Sequence, residues 1–109
     1  MPDPTVSSDP RRNYPRIELP KGPSVAWRGG GKVGVGYVTS MSLGGLFISI
    51  PDPPESGTVV QLLFDIQQGE VRARAVVKRC QPGVGMGVQF INMGYEDRGR
   101  LYQLLKKLL

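Results

Sequence analysis

Between Thr58 and Arg79 the sequence alternates apolar and polar residues, and this pattern restricts the possible folds more than any other. Successive side chains of a strand point to opposite faces, so the alternation predicts strands that are buried on one face only. The turn Gln67-Gln68-Gly69 divides the segment and predicts an antiparallel hairpin. The residues predicted to face inward are Val60, Leu62, Phe64 and Ile66 before the turn, and Val71, Ala73, Ala75 and Val77 after it.

Short strand patterns also occupy residues 24–28, 33–39, 44–50 and 84–91, and glycine- or proline-rich turns separate them. After residue 95 the period changes. Leu101, Leu104, Leu105 and Leu108 form the apolar stripe of an amphipathic helix. The order of these elements predicts a mainly β fold, a small six-stranded antiparallel β-barrel with a C-terminal α-helix. Because so small a barrel is filled by its own side chains, we expect any ligand to bind outside it.

The chain of 109 residues predicts one folded domain over residues 11–109. Residues 1–10 hold three prolines and little to bury, which predicts a disordered tail. Residues 11–20 form an arm in which Pro15 and Pro20 disfavour both a helix and a central strand. The predicted barrel covers residues 23–91 and the predicted helix residues 95–109.

Charge and cysteine content restrict the partners and the compartment. The net charge is +5, and much of the excess lies before residue 33, which favours an anionic partner without identifying it. Cys80 is the only cysteine, so an intrachain disulfide is excluded and a reducing compartment is expected. No apolar run is long enough to cross a bilayer, and the N-terminus does not resemble a secretory signal. We therefore expect a cytoplasmic protein without a membrane span.

Two groups of residues form a candidate binding site. Arginine presents a planar fork of donors that suits phosphate groups and the edge of guanine. A serine hydroxyl can contact a phosphate or a base edge, and glycine allows the backbone to approach a ring closely. Together they predict an anionic, hydrogen-bonding ligand such as a base-bearing phosphate compound. The residues are Arg11, Arg12 and Arg16 in the arm, and Ser40, Ser42 and Gly45 in a turn between two strands.

The spacing Arg12-x-x-x-Arg16, followed by Ser40-x-Ser42-x-x-Gly45, resembles the paired RxxxR and (D/N)xSxxG motifs of PilZ domains, the bacterial receptors for cyclic di-GMP. The resemblance extends from about Arg11 to the C-terminus. It implies a barrel with a terminal helix, and it implies that cyclic di-GMP binds the six residues named above. Binding would order the arm against the barrel and create a surface for a downstream protein partner, with motility, adhesion or polysaccharide production as the output.

Ser40 departs from the motif, which has Asp or Asn at this position. Loss of one base-edge contact costs roughly 1–3 kcal/mol, or about ten- to a hundredfold in affinity. We therefore predict detectable but weakened binding. One alternative is a degenerate PilZ-like interaction module that no longer binds the nucleotide. Another is a basic barrel that binds single-stranded nucleic acid, which is disfavoured because most strand aromatics alternate with the apolar residues.

The residues disfavour catalysis and a resident cofactor. The sequence has no histidine and one cysteine, which excludes a Cys/His zinc site and a Ser-His relay. Lys32 after three glycines resembles a phosphate loop only superficially, because Val33 stands where that loop has Ser or Thr. The carboxylates are scattered. We expect a binding protein without a metal, and not an enzyme.

Overall fold

A computed structural model of the chain describes residues 15–20 and 22–109 and shows a mainly β structure followed by one helix. The arginines Arg11 and Arg12 and the predicted tail, residues 1–10, lie outside the described residues. The elements of the described part are β1 (Ile17–Glu18), β2 (Ser24–Gly29), β3 (Lys32–Met41), β4 (Gly45–Ser49), β5 (Val59–Ile66), β6 (Gly69–Gln81), β7 (Gly85–Met93) and α1 (Tyr95–Leu108).

The strands form a closed antiparallel barrel. Its strand order is β3-β2-β5-β6-β7-β4, and the pairing of β4 with β3 closes it. The remaining strand, β1, pairs with the C-terminal end of β3, on the same edge of β3 as β2. The predicted fold class, a six-stranded barrel with a C-terminal helix, is therefore confirmed, and β1 is an addition to it.

The two strands that gave the clearest alternation pair as predicted. β5 and β6 pair from Val59 opposite Val76 to Ile66 opposite Gly69. All residues predicted to face inward are buried except Ile66, which is partly buried. The hairpin of β2 and β3 turns at Gly30 and Gly31, with φ values of 63° and 77°. Positive φ at both central residues suits a two-residue hairpin turn, because its twist matches that of the strands.

The apolar side of the helix completes the core of the barrel. Leu101 is 0 % exposed and Leu105 is 5 % exposed within the core cluster of the barrel, and α1 packs mainly on β6. The predicted stripe is wrong at its end, because Leu108 is 44 % exposed in the last turn, beyond the reach of the sheet. No helix in residues 15–20 and 22–109 has both the length and the apolar character needed to span a membrane.

Gly99 lies on the exposed side of α1 and gives a first prediction. A Cβ atom at this position would meet no atom within 4 Å. Gly99→Ala is expected to stabilise the fold by about 0.5–1 kcal/mol, because alanine loses less backbone entropy than glycine in a helix. Thermal denaturation should show a rise in Tm of roughly 4 °C. The matched control is Gly57→Ala, where space is also open but φ is 93°, so destabilisation is expected. Equal shifts in both variants would contradict the argument.

Two predicted details of the chain differ from the structure. The arm was expected to be irregular, but Ile17–Glu18 forms the strand β1 at the edge of β3. Pro15 and Pro20 flank this strand, so neither proline has to donate a ladder hydrogen bond. The strand predicted over residues 84–91 begins one residue later, because Val84 lies in the turn before β7 and is 54 % exposed.

The first half of β3 turns its glycines inward and its large side chains outward. Val33, Val35 and Tyr37 are 73 %, 66 % and 62 % exposed. The reason is lack of space inside: a Cβ atom at Gly36 would lie 2.3 Å from Cγ2 of Ile50. Bulky core residues from other strands fill the volume that side chains on this face would need, so the apolar residues of the strand remain at the surface.

Candidate ligand-binding site

The short strand β1 fixes the end of the arm beside the turn that joins β3 to β4. Ile17 pairs with Met41, and Glu18 pairs with Ser40. The amide of Leu19 donates a hydrogen bond of 2.8 Å to the carbonyl oxygen of Thr39. Ile17 also packs against the core, partly buried. These contacts anchor the chain directly after Arg16, so this arginine lies at the corner where the site was predicted.

Arg16 and Ser40 are in direct contact. The Nη1 atom of Arg16 donates a hydrogen bond of 2.9 Å to Oγ of Ser40. The serine is 6 % exposed, whereas the arginine is exposed to solvent. A guanidinium has five N–H donors, so one bond of this kind leaves most of its capacity for a ligand. Because Arg16 and Ser40 already contact each other, a ligand must either lie over the pair or replace their hydrogen bond.

Ser42 holds the turn between β3 and β4. Its Oγ accepts hydrogen bonds from the amides of Gly44 at 3.0 Å and Gly45 at 3.2 Å. Its own amide donates to the carbonyl oxygen of Gly45 at 2.9 Å. The residue is 3 % exposed. A serine that satisfies two adjacent amides restricts the backbone of the turn, as serine does in other side-chain-to-backbone motifs. Its hydroxyl therefore shapes the corner and is turned away from solvent.

Gly45 is required by the packing of two strands. The residue begins β4 and pairs with Gln89 of β7. A Cβ atom at this position would lie 2.0 Å from the carbonyl oxygen of Val88, closer than any real contact. The glycine therefore allows β4 to approach β7 closely as the barrel closes. Its bare side faces the protein, whereas the sequence interpretation used it for close approach of a ligand ring.

The structure thus brings together the four predicted site residues that it describes. Arg16 contacts Ser40, while Ser42 and Gly45 form the adjoining turn. The other two, Arg11 and Arg12, lie outside the described residues. The assignment of these six residues to a ligand remains a prediction. Of the four described residues, Arg16 and Ser40 carry polar groups that can contact a ligand, whereas Ser42 and Gly45 determine the conformation of the turn.

A small apolar cavity lies beside this corner. Its volume is about 100 Å³, and it separates the arm from the last turns of the helix. Pro15 and Ile17 line one side, and Tyr102, Leu105 and Leu109 are among the residues on the other. That the arm and the helix share a cavity was not predicted from the sequence. The leucine stripe of the helix predicted a covered surface, but no pattern in the arm indicated that the arm lies beside the helix.

A family comparison agrees with this geometry. The family model for the PilZ domain matches residues 10–107. The chain belongs to the PilZ domain family. The matched range contains the arm, the whole barrel and nearly all of the helix, so family membership applies to the folded domain described above. The search of curated proteins returned no match.

Solved structures show the same fold at low sequence identity. This PilZ domain is similar to MotI/DgrA, the inhibitor of motility from Bacillus subtilis, with a TM-score of 0.74 and 19% identity over 91% of this chain and 51% of that chain. It is also similar to MrkH of K. pneumonia in its apo state, with a TM-score of 0.71 and 18% identity over 92% of this chain and 50% of that chain. It therefore spans about half the length of these two chains.

Two further solved structures share the fold. The PilZ domain of CeSA from a cellulose-synthesizing bacterium has a TM-score of 0.65 and 20% identity over 86% of this chain and 97% of that chain. MrkH has also been solved in complex with c-di-GMP, and this structure has a TM-score of 0.63 and 21% identity over 92% of this chain and 53% of that chain. At such identities the similarity establishes the fold alone.

Proposed function

We propose that this PilZ domain is a receptor for cyclic di-GMP that transmits the level of this second messenger to a protein partner. The observation that carries the proposal is the contact between Arg16 and Ser40. It brings the second arginine of the RxxxR motif to the first position of the other motif, although the two residues are 24 positions apart. Family membership adds the ligand, since PilZ domains are receptors for cyclic di-GMP.

The chemistry of the corner suits a ligand with two guanines and two phosphates. The exposed guanidinium of Arg16 can make bidentate contacts with a phosphate or with the O6 and N7 atoms of guanine. Ser40 can offer its hydroxyl to a base edge when the arginine releases it. Arg11 and Arg12 supply two further cations on the preceding residues of the arm. Ser42 and Gly45 contribute by holding the turn in shape.

Binding at this corner can alter the packing of the helix. The arm residues that follow and precede Arg16 line the same small cavity as the last turns of α1. A ligand that draws the guanidinium away from Ser40 would act on Pro15, the cavity residue that precedes the anchored strand β1. Ordering of a segment by a ligand is a common way to expose a new surface. We infer that a partner reads this change in the cytoplasm, with motility, adhesion or exopolysaccharide control as the process.

A degenerate PilZ domain that works through protein contacts alone is the second candidate. Serine at position 40 favours it, because the side chain is shorter than the Asp or Asn of the motif and is 6 % exposed. The contact with Arg16 already uses its Oγ as an acceptor. The exposed guanidinium argues against this candidate, because it keeps donors for a phosphate in the described part of the site.

Calorimetric titration of cyclic di-GMP distinguishes the two candidates. The receptor function predicts saturable heat with the wild type, loss of heat with Arg12→Ala, and binding about ten- to a hundredfold tighter with Ser40→Asp, because a carboxylate can pair with a guanine edge. Arg98→Ala is the control, since Arg98 is an exposed arginine of α1 outside the site. A flat wild-type titration with clear heat for Ser40→Asp would show a degenerate site. No heat with either protein would leave the interaction module.

A further inference from the structure

The outer face of β3, β2, β5 and β6 carries an ordered array of exposed side chains. One row runs directly across the strands, since Arg28 pairs with both Val33 and Gln61, and Gln61 pairs with Arg74. The row continues to Asn92 on β7. All five residues are exposed. Cross-strand partners share one face of a sheet, so these side chains form a single line across the barrel wall.

A second row lies beside the first and is mainly apolar. Ala26 pairs with both Val35 and Leu63, and Leu63 pairs with Arg72. Val35 is 66 % exposed and Leu63 is 39 % exposed. We call the two rows together the outer sheet face. The first row spans four strand spacings, roughly 19 Å, and the second spans three, roughly 14 Å, which is wide enough for one helix or one extended segment.

The outer sheet face is concave at its centre. A groove of about 680 Å³ runs along it, lined by residues of both rows on β2, β5, β6 and β7 and by the start of α1. Val33 and Val35 lie beside this groove, on the strand next to Arg28 and Ala26. Exposed apolar side chains that are contiguous and bordered by polar groups are typical of protein interaction sites. Val33, Val35 and Leu63 fit that description, with Arg28 and Arg74 beside them.

The charges of this face are mostly cationic. Nη2 of Arg28 donates to Oε1 of Gln61 at 2.7 Å, which orients the guanidinium without neutralising it. Neither Arg28 nor Arg74 forms an ion pair with any of the residues that the structure describes. Arg72 is paired with Glu70 at 3.0 Å and its amide bonds to Asp97 at 2.9 Å. Two unneutralised arginines therefore stand beside an apolar strip, which complements carboxylates on an amphipathic partner.

We propose that the outer sheet face binds an acidic, amphipathic segment of a protein partner. Apolar side chains of the segment would cover Val33, Val35 and Leu63, and its carboxylates would pair with Arg28 and Arg74. Charged pairs of this kind set the specificity and the association rate, while the apolar contact contributes most of the affinity. The proposal stands on the array of side chains and does not depend on nucleotide binding.

The face is separate from the candidate nucleotide site. Val33 and Ser40 are seven residues apart on one strand, a distance of about 23 Å along an extended chain. A nucleic acid fits the face less well than a protein segment. Proteins that bind single-stranded nucleic acid place exposed aromatic rings between their basic residues, whereas valine and leucine occupy those positions here.

The test uses a labelled 18-residue helical peptide of Glu, Leu and Ala with all Leu on one face, and an isomer with the Leu scrambled. Titration is followed by fluorescence anisotropy and by amide NMR shifts, with and without cyclic di-GMP.

Arg28→Glu combined with Arg74→Glu is expected to weaken binding at least about tenfold. Val33→Thr with Val35→Thr keeps strand propensity and is expected to weaken it about fivefold. The control Arg98→Glu with Lys107→Glu should bind like the wild type, and melting temperatures confirm that every variant is folded.

The expected result is saturable binding of the amphipathic peptide, preferred at least about tenfold over the scrambled isomer. Shifts should be confined to β2, the first half of β3, β5, β6, the end of β7 and the start of α1. Equal binding of both peptides, shifts elsewhere, or no binding would overturn the proposal. Stronger binding of a 20-nucleotide single strand would make the face a nucleic-acid site. Sedimentation showing a dimer that the valine variants dissociate would identify a second copy as the occupant. All results are expected in the absence of cyclic di-GMP, so failure of the nucleotide site would leave them unchanged.

Discussion

Gly45→Ala is expected to lower the free energy of unfolding by about 3 kcal/mol or more, the upper part of the range for overpacking. The added Cβ atom would lie 2.0 Å from the carbonyl oxygen of Val88. The obstacle is backbone of β7, so rotation of a side chain cannot relieve the clash. Either β4 moves away from β7 and the barrel opens, or the turn held by Ser42 is distorted. Thermal denaturation should show a fall in Tm of roughly 12–20 °C.

Gly87→Ala is the matched control for this effect. Gly87 lies in β7, and a Cβ atom there would meet its nearest neighbour, Cβ of Arg79, at 3.6 Å, which is ordinary van der Waals contact. We expect this variant to change the free energy of unfolding by less than about 1 kcal/mol. If the two variants melted at the same temperature, the close approach of β4 and β7 would not be the reason for the glycine. The role of Gly45 would then return to contact with a ligand, as the motif alone suggested.

Arg16→Ala is expected to weaken the binding of cyclic di-GMP by about a hundredfold or more. Each hydrogen bond to a charged group contributes roughly 1.5–3 kcal/mol, and a forked guanidinium can make two of them to one phosphate or one guanine. Calorimetry on the wild type and the variant measures the ratio. Arg16→Lys should recover only part of the affinity, because an ammonium keeps the charge and loses the fork.

Folding should be nearly independent of this side chain. Arg16 is exposed, so water competes for its donors and its one hydrogen bond to Ser40 contributes less than a buried charged bond would. The variant is therefore expected to lose no more than about 1.5 kcal/mol of stability. A large loss of affinity with a small change in Tm would identify a ligand contact. Unchanged affinity in Arg16→Ala would show that the hydrogen bond to Ser40 serves only the fold, and it would favour the degenerate module.

The two proposed sites give this domain an arrangement suited to an adaptor. The candidate nucleotide site lies where β1 pairs with the end of β3, and the outer sheet face lies at the other end of the same strand. The arm also reaches the end of α1 through the small apolar cavity. A receptor needs a ligand site and a partner site that can be occupied together, and the length of β3 keeps these two apart.

The predicted elements that the structure confirms were those with a local signal. The alternation of β5 and β6 identified the inward residues, because side chains of a strand change face at every position. The glycines of the β2–β3 turn and the leucines of α1 also carry a local signal, because a tight hairpin turn favours glycine and a helix repeats every 3.6 residues. The motif spacing predicted one site from Arg16, Ser40, Ser42 and Gly45, and these residues lie at one corner of the barrel.

The roles of these residues depend on long-range contacts that carry no local signal. Ser42 and Gly45 were expected to meet the ligand, yet the turn amides and the carbonyl oxygen of Val88 surround them. Arg28, Gln61 and Arg74 are far apart in the chain and form one row only through strand register. The periodicity of one strand states which residues share a face. Which face points inward, and what lies opposite each residue, is set by closure of the barrel and by the volume that other strands have already filled.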